Sequence, residues 1–140
     1  MPEDGSLRES AARLVLFSEL EESELAALLS RLEEVVYEEG QWVVRRGETN
    51  PGLQIIVDGE AGVVLESEEL ATLKKGSFFG EISALLGEPT VADVVARTRL
   101  RCLLVRSEDV ERFLLDNPRV MYRMLQTEAR RVRSTDERRL

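Results

Sequence analysis

The sequence predicts a mainly β domain with flanking helices, an α+β fold centred on a barrel or jelly roll. Eight of its nine glycines lie between Gly40 and Gly87, and none follows. Glycine supplies the left-handed backbone of tight strand connections and weakens helix interiors, so this middle region is expected to hold strands and turns. On both sides of it, apolar residues recur with helical spacing. Helices are therefore expected before and after the strands.

The region before Gly40 contains an amphipathic helix. Four leucines recur at i, i+3, i+4 and i+7, the spacing of one buried helix face: Leu25, Leu28, Leu29 and Leu32. Glutamates at its start suit the positive end of the helix dipole. The helix is expected to end before residues 35–38, where the pattern becomes that of a strand.

Six short apolar segments in the middle of the chain are expected to be strands. They are residues 42–45, 53–57, 62–65, 71–73, 93–96 and 100–105. Turn-forming residues separate these segments, and Asp58-Gly59 between two apolar runs is a strong hairpin signal. Many short strands at regular spacing favour a barrel or jelly roll.

Two helices are expected after the last strand. Ser107 can cap the first of them, and the acidic residues that follow it suit the positive helix end. Asn117 and Pro118 end that helix and start the next, which is expected over residues 119–134. Three apolar residues of this last helix lie near one stripe: Met121, Leu125 and Val132.

Composition indicates one globular domain of 140 residues, with 43% apolar and 33% charged residues. No apolar run approaches the roughly 20 residues that span a bilayer, and no secretion signal is evident, so a cytoplasmic location without membrane contact is expected. The absence of histidine excludes histidine-ligated metal sites and Ser-His or Cys-His catalysis. Cys102 has no intrachain partner and is expected to be a buried small apolar residue.

The charge is unevenly distributed along the chain. The net charge is −8, but residues 119–140 contain seven arginines against three acidic residues, a balance of +4, so the preceding 118 residues carry −12. An acidic body repels a nucleic-acid backbone. The arginines of the last helix are expected to form a solvated face, and no nucleic-acid partner is expected.

Residues 79–96 read F-G-E-I-S-A-L-L-G-E-P-T-V-A-D-V-V-A. This segment resembles the phosphate-binding cassette of cyclic nucleotide-binding domains, without a gap in spacing. The residues that agree are Phe79, Gly80, Glu81, Ile82, Gly87, Pro89, Ala92, Val94 and Ala96. Shorter matches precede it in the order the family has them, at residues 39–48, 55–63 and 73–81. The resemblance implies a β-roll with N-terminal helices and two C-terminal helices over residues 12–134, with tails at 1–11 and 135–140.

The resemblance also implies a ligand site. Glu81 matches the glutamate that accepts a hydrogen bond from the ribose 2′-hydroxyl of the nucleotide, and Gly80 matches the glycine that lets the backbone approach the sugar. Backbone N–H groups of the cassette attract an anion. The expected ligand-binding residues are Phe79, Gly80, Glu81, Ile82, Ser83, Thr90, Val91, Ala92 and Asp93. No metal ion and no catalytic residue are expected.

Two residues depart from the family pattern. Thr90 stands at the position of the arginine that grips the phosphate, and Asp93 stands at the position of a threonine or serine. Loss of one partner of a buried charge pair costs about 2–5 kcal/mol, and a carboxylate about 5 Å from the phosphate adds roughly 3 kcal/mol of repulsion. The sequence therefore predicts weak or absent binding of cAMP and cGMP, unless Arg97 or Arg99 compensates.

Three functions stay open. The first is a regulatory module that acts through protein contacts or through another ligand, neutral or cationic. The second is a cAMP sensor that uses Glu81, backbone amides and a substitute arginine. The third is a cupin-like enzyme. Because the chain has no histidine, only carboxylates such as Glu60, Glu81 and Asp93 could act as its catalytic groups. No nucleophile–base pair is visible in the sequence, which disfavours the enzyme.

Protein partners are expected in the first two cases. Similar domains often dimerise through the helix that corresponds to residues 119–134. A homodimer through the stripe on this helix is therefore one hypothesis, and packing of the stripe on the parent β-roll is the other.

Overall fold

The computed structural model describes the backbone of residues 2–139 and the side chains of residues 7–134. Helices lie at both ends of this part of the chain and strands lie between them. In chain order the elements are α1 (Pro2–Ala12), α2 (Glu22–Ser30), β1 (Glu33–Tyr37), β2 (Trp42–Val44), β3 (Gly52–Asp58), β4 (Ala61–Leu65), β5 (Glu68–Leu73), β6 (Phe78–Phe79), α3 (Glu81–Leu86), β7 (Asp93–Ala96), β8 (Leu100–Arg106), α4 (Val110–Asp116) and α5 (Pro118–Arg139). Short 3₁₀ turns lie at Val15–Phe17 and Ser107–Asp109.

The strands form two antiparallel four-stranded sheets. One has the order β1-β8-β3-β6 and the other the order β2-β7-β4-β5. The chain passes from one sheet to the other at every connection between consecutive strands except β4 to β5, so the two sheets form a β-roll. This architecture confirms the predicted fold class of a mainly β domain with flanking helices.

Strand β3 joins the two parts of the core. All of its residues are buried except the last, because one of its faces meets the helices and the other meets the opposite sheet. Leu53, Ile55 and Val57 pack in the helix-side cluster, and Ile56 packs between the sheets. This alternation follows from the two-residue period of a strand.

Cys102 lies between the two sheets and is fully buried, as predicted. Burial disfavours the thiolate and raises the pKa of the Cys102 thiol to about 12. Among the residues that the structure describes, no helix combines the length and apolar character that crossing a membrane requires.

Several elements differ in extent from the sequence-based expectation. The segment expected as an N-terminal tail contains helix α1, whose Leu7 and Ala11 pack against the helix-side core with Leu14. These residues have helical i, i+4, i+7 spacing, a pattern too short to stand out in a polar segment. Helix α5 continues to Arg139, because no glycine or proline interrupts it after residue 134. The domain boundaries at residues 12 and 134 stay predictions.

Candidate ligand-binding cavity

The turn before helix α3 is fixed by two glycines and an asparagine. Gly80 has a left-handed backbone with φ of +84°, and a Cβ added there would lie 2.2 Å from the carbonyl oxygen of Gly52. The buried Asn50 side chain donates to the Gly80 carbonyl oxygen at 2.7 Å and accepts from the Gly52 N–H at 3.2 Å. Close contact between two backbone segments thus requires glycine at position 80. Asn50 was not anticipated from the sequence, because its partner Gly80 lies 30 residues further along the chain.

A cavity of about 270 Å³ lies beside this turn, between helix α3, the sheet that contains β4 and β5, and helix α5. Its walls are mostly apolar. Of the predicted ligand-binding residues, all except Asp93 line it: Phe79, Gly80, Glu81, Ile82, Ser83, Thr90, Val91 and Ala92. The volume is slightly below the roughly 300–1,000 Å³ of typical small-molecule pockets, so a small ring-sized ligand fits it best.

Glu81 is the buried carboxylate of the cavity, with 4% of its surface exposed. One of its oxygens, Oε2, accepts a hydrogen bond from Nη1 of Arg131 at 3.0 Å. The same Nη1 donates to Oε1 of Glu128 at 2.8 Å, and Nη2 donates to the Phe78 carbonyl oxygen at 3.1 Å. The guanidinium also lies 4.8 Å from the centre of the Phe78 ring, within cation–π range. Arg131 therefore connects helix α5 to the Glu81 carboxylate in the cavity.

The pKa of Glu81 is raised to about 7. Burial is the largest cause, and the hydrogen bond and negative charge of Glu128 raise the pKa further. A backbone hydrogen bond and the positive charge of Arg131 oppose the rise. The ion pair with Arg131 is thus too weak to offset the burial of the carboxyl group beside a second acid. Glu81 titrates close to neutral pH as a result.

Thr90 lines the cavity, but its hydroxyl serves the structure of a loop. The Oγ1 atom donates to the Arg45 carbonyl oxygen at 2.5 Å and approaches the Glu48 carbonyl oxygen at 3.4 Å. The Thr90 carbonyl oxygen accepts from the Gly47 N–H at 2.9 Å. These bonds attach the end of the cassette to the connection between β2 and β3.

Asp93 does not line the cavity, which corrects the expectation that its charge lies in the phosphate cradle. Its Oδ1 accepts from the Arg46 N–H at 2.6 Å and lies 3.8 Å from Nε of Arg45. The physical reason is the strand period: Ala92 and Val94 line the cavity, so Asp93 between them faces the other way. The repulsion expected from Asp93 therefore does not apply at contact distance.

The two arginines named as substitutes for the missing one lie elsewhere. Arg97 pairs with Glu69, and Arg99 lies 3.8 Å from Glu38. Arg131, which the sequence analysis did not single out, is the cation among the described residues that line the cavity. Nothing in the sequence marks Arg131 as a cavity residue, since it is one of seven arginines that follow residue 118.

An apolar rim extends from the cavity along helix α3, and Ile82 and Val91 of this rim also line the cavity. The rim consists of exposed side chains with 49–65% of their surface accessible: Ile82, Leu85, Leu86 and Val91. Exposed apolar residues that cluster beside a cavity are typical of a surface that contacts a ligand or another protein.

The fold and the site together define a β-roll domain with a ligand cavity formed by a short helix, its preceding turn and a C-terminal helix. The family model described as "Cyclic nucleotide-binding domain" matches residues 34–117. The chain belongs to this family, as the cassette resemblance predicted.

Known proteins of this family are similar to the chain over most of its length. A cAMP-dependent protein kinase regulatory subunit from Mucor circinelloides f. lusitanicus is 36% identical over 107 residues, which is 74% of this chain and 25% of the relative. The Thermus thermophilus catabolite activator protein superposes with a TM-score of 0.76 at 27% identity, covering 88% of this chain and 60% of that one.

A third comparison is the regulatory subunit of a cAMP-independent protein kinase A from Trypanosoma brucei. It superposes with a TM-score of 0.69 at 26% identity, covering 87% of this chain and 49% of that one. The chain thus corresponds to about a quarter of the Mucor relative and to half or somewhat more of these two structures.

Proposed function

We propose that this domain is a non-enzymatic regulatory module that binds cAMP and cGMP weakly or not at all, and that acts through another ligand or through protein contacts. The observation that carries the proposal is Thr90. An arginine at this position would clamp phosphate oxygens through charged hydrogen bonds, whereas the Thr90 hydroxyl donates to the Arg45 carbonyl oxygen.

The loss of binding free energy expected from threonine in place of arginine is large enough to disfavour a cyclic phosphate as the ligand. Loss of a buried charged partner weakens binding by about 2–5 kcal/mol, which is about 30-fold to several thousand-fold. Arg131 supplies a positive charge to the cavity, but Glu81 and Glu128 already accept hydrogen bonds from it. A cyclic phosphate would therefore meet no unshared cation on the described walls of the cavity.

Calorimetric titration of the domain with cAMP and cGMP tests the proposal. We expect dissociation constants above about 30 µM, the value reached when a micromolar site loses about 2 kcal/mol. A low-micromolar constant for either nucleotide would contradict it.

The second candidate function is a working cAMP sensor with Arg131 as the substitute arginine. One observation favours it: Arg131 and Glu81 line the same cavity and contact each other. In that case cAMP binds in the low micromolar range, and Glu81→Ala abolishes binding because the ribose loses its acceptor. If Glu81→Ala leaves a measured affinity unchanged, the nucleotide does not bind in this cavity.

An enzymatic role is disfavoured by where the carboxylates lie. Glu81 is buried in the cavity, and Asp93 faces the β2–β3 connection outside it. One carboxylate inside the cavity and one outside it are not placed to act as an acid and a base on one substrate.

Protein contact is proposed at two surfaces. The apolar rim of Ile82, Leu85, Leu86 and Val91 is exposed, and Ile82 and Val91 also line the cavity, so we propose this rim for a ligand-dependent partner. Of the predicted stripe on α5, Met121 packs against the helix-side core, while Leu125 and Val132 are exposed. Tyr122 is also exposed, three residues before Leu125. This spacing fits a two-helix seam, and we propose a homodimer there. Sedimentation showing a monomer at about 100 µM would contradict the dimer.

A further inference from the structure

The polar chemistry of the cavity is concentrated in one cluster of three charged side chains. Arg131 Nη1 bridges Glu81 Oε2 at 3.0 Å and Glu128 Oε1 at 2.8 Å. The two other polar side chains of the cavity wall are engaged with backbone: Thr90 donates to Arg45, and Ser83 donates to the Pro89 carbonyl oxygen at 3.2 Å. A ligand's polar group would therefore meet this charged cluster first.

The net charge of the cluster is negative or zero. With both acids ionised, the two carboxylates outweigh the one guanidinium and the cluster carries −1. With Glu81 protonated, it carries zero. The raised pKa of Glu81 supports this second state near neutral pH. In neither state does the cavity present a net positive charge to a phosphate.

Glu128 is the residue of the cluster that keeps its net charge from being positive. It does not line the cavity, and it lies on α5 one turn before Arg131. Without its charge, Glu81 and Arg131 would form a balanced pair, and the guanidinium would offer more of its positive field to the cavity. Glu128 is thus placed to influence the charge of the cavity from outside its wall.

We propose that the cavity selects an uncharged, hydroxyl-bearing ring ligand over the corresponding cyclic phosphate, and that Glu128 sets this selectivity by neutralising Arg131. The apolar walls accept the ring, and Glu81 accepts a hydrogen bond from the hydroxyl. This inference rests on the proposed function and extends it by naming the ligand class and a second determinant besides Thr90.

The test measures a ratio of affinities for two matched probes, adenosine and cAMP, which share base and sugar and differ in the phosphate. Titrations are performed on the parent domain, on Glu128→Gln and on a control, Glu19→Gln. The control removes the carboxylate that pairs with Arg123 of the same helix, and neither residue lines the cavity. We expect the parent to bind adenosine more tightly than cAMP.

In Glu128→Gln the ratio of the cAMP constant to the adenosine constant should fall about 10-fold, because a phosphate gains from the removal of a nearby negative charge and a neutral ligand does not. In Glu19→Gln the ratio should stay within about twofold. A merely structural role for Glu128 would change both constants together and leave the ratio constant, which would overturn the inference.

The outcomes separate this inference from the proposed function. An unchanged ratio in Glu128→Gln overturns the role of Glu128, while weak cAMP binding by the parent still supports the proposed function. Low-micromolar cAMP binding by the parent overturns both. If neither probe binds any variant at about 1 mM, the ligand class is wrong and the proposed protein-contact role stands alone. Thermal melting of each variant verifies that it is folded.

Discussion

The two ends of the cassette differ in what their polar groups do. At the end that begins with Phe79, the turn at Gly80 places the Glu81 carboxylate in the cavity, where Arg131 reaches it. At the other end, the Thr90 hydroxyl donates to a backbone carbonyl, and Asp93 faces away from the cavity. Within one continuous motif, the charged side chain of the first half thus lies in the cavity, whereas the polar side chains of the second half bond to the connection between β2 and β3.

The comparison shows that the backbone shape of the motif and its polar side-chain contacts depend on different residues. The backbone of both ends depends on close packing, which glycine and small apolar residues maintain. The grip on an anion depends on one long charged side chain, which can be lost without any change of fold. Family membership therefore predicts the cavity better than it predicts the ligand.

The largest expected effect tests the first half of the cassette. Gly80→Ala should lower the free energy of unfolding by about 3–5 kcal/mol. The added Cβ clashes with the Gly52 carbonyl oxygen, and alanine is also strained in the left-handed backbone conformation of this position. The control is Gly87→Ala, with φ of +68° but nothing within 4 Å of an added Cβ, so it should cost only about 1–2 kcal/mol. Chemical denaturation measures both. Equal losses would show that the contact with Gly52 does not matter.

The next effect concerns the Glu81 carboxyl and its pH dependence. Its pKa is about 7 when folded and 4.5 as the reference value, so the folded state binds its proton more tightly. Glu81 therefore contributes stability that is fully present below about pH 4.5 and is lost as pH rises towards 7. Over this range the loss amounts to up to about 3 kcal/mol.

Glu81→Gln, which cannot ionise, isolates this effect. The unfolding free energy of the parent minus that of the variant should fall as pH rises from 4.5 to 7 and stay level above it. Denaturation curves of both proteins across this range give the difference. A difference that grows with pH would mean that the Arg131 ion pair dominates over burial.

A smaller effect tests the second half of the cassette. Thr90→Val keeps the shape of the side chain and removes the donor to the Arg45 carbonyl oxygen, which should cost about 1–2 kcal/mol of stability. Because the hydroxyl serves the loop, the affinity for any cavity ligand should change little. Thr90→Ser, which keeps the hydroxyl, is the matched control and should lose less. Stability equal to the parent in Thr90→Val would show that the loop contact is unimportant.

The smallest effect is expected at Asp93. Asp93→Asn removes the negative charge and keeps an oxygen that can accept from the Arg46 N–H. Since Asp93 faces away from the cavity, the affinity for cAMP should change by less than about threefold. An increase in affinity of about 10-fold or more in calorimetry would show that its charge reaches the ligand site after all.

The fold was predictable from the sequence because its signals are local. The position of the glycines, the helical spacing of Leu25 and Leu28, and the ungapped cassette each concern neighbouring residues. The part of the cavity wall formed by residues 79–83 and 90–92 could also be predicted, since it follows the motif. Helix α1 and strand β6 could not, because α1 has only a short apolar stripe and β6 has two residues.

The polar contacts of the site were less predictable, since two of the most important join distant parts of the chain. Asn50 and Gly80 are 30 residues apart, and Arg131 and Glu81 are 50 apart. Among seven arginines at the end of the chain, nothing in the pattern distinguishes Arg131. The direction of Asp93 could have been inferred from strand alternation, because Ala92 and Val94 match wall positions on either side of it.

Restoring the missing cation tests the account most directly. Calorimetric titration with cAMP would compare the parent with Thr90→Arg, and with Thr90→Gln as a neutral variant that also lacks the hydroxyl. We expect Thr90→Arg to bind cAMP at least about 30-fold more tightly than Thr90→Gln, the factor that corresponds to about 2 kcal/mol. Equal affinities for the two variants, or parent binding as tight as that of Thr90→Arg, would contradict the claim that Thr90 removes the phosphate grip.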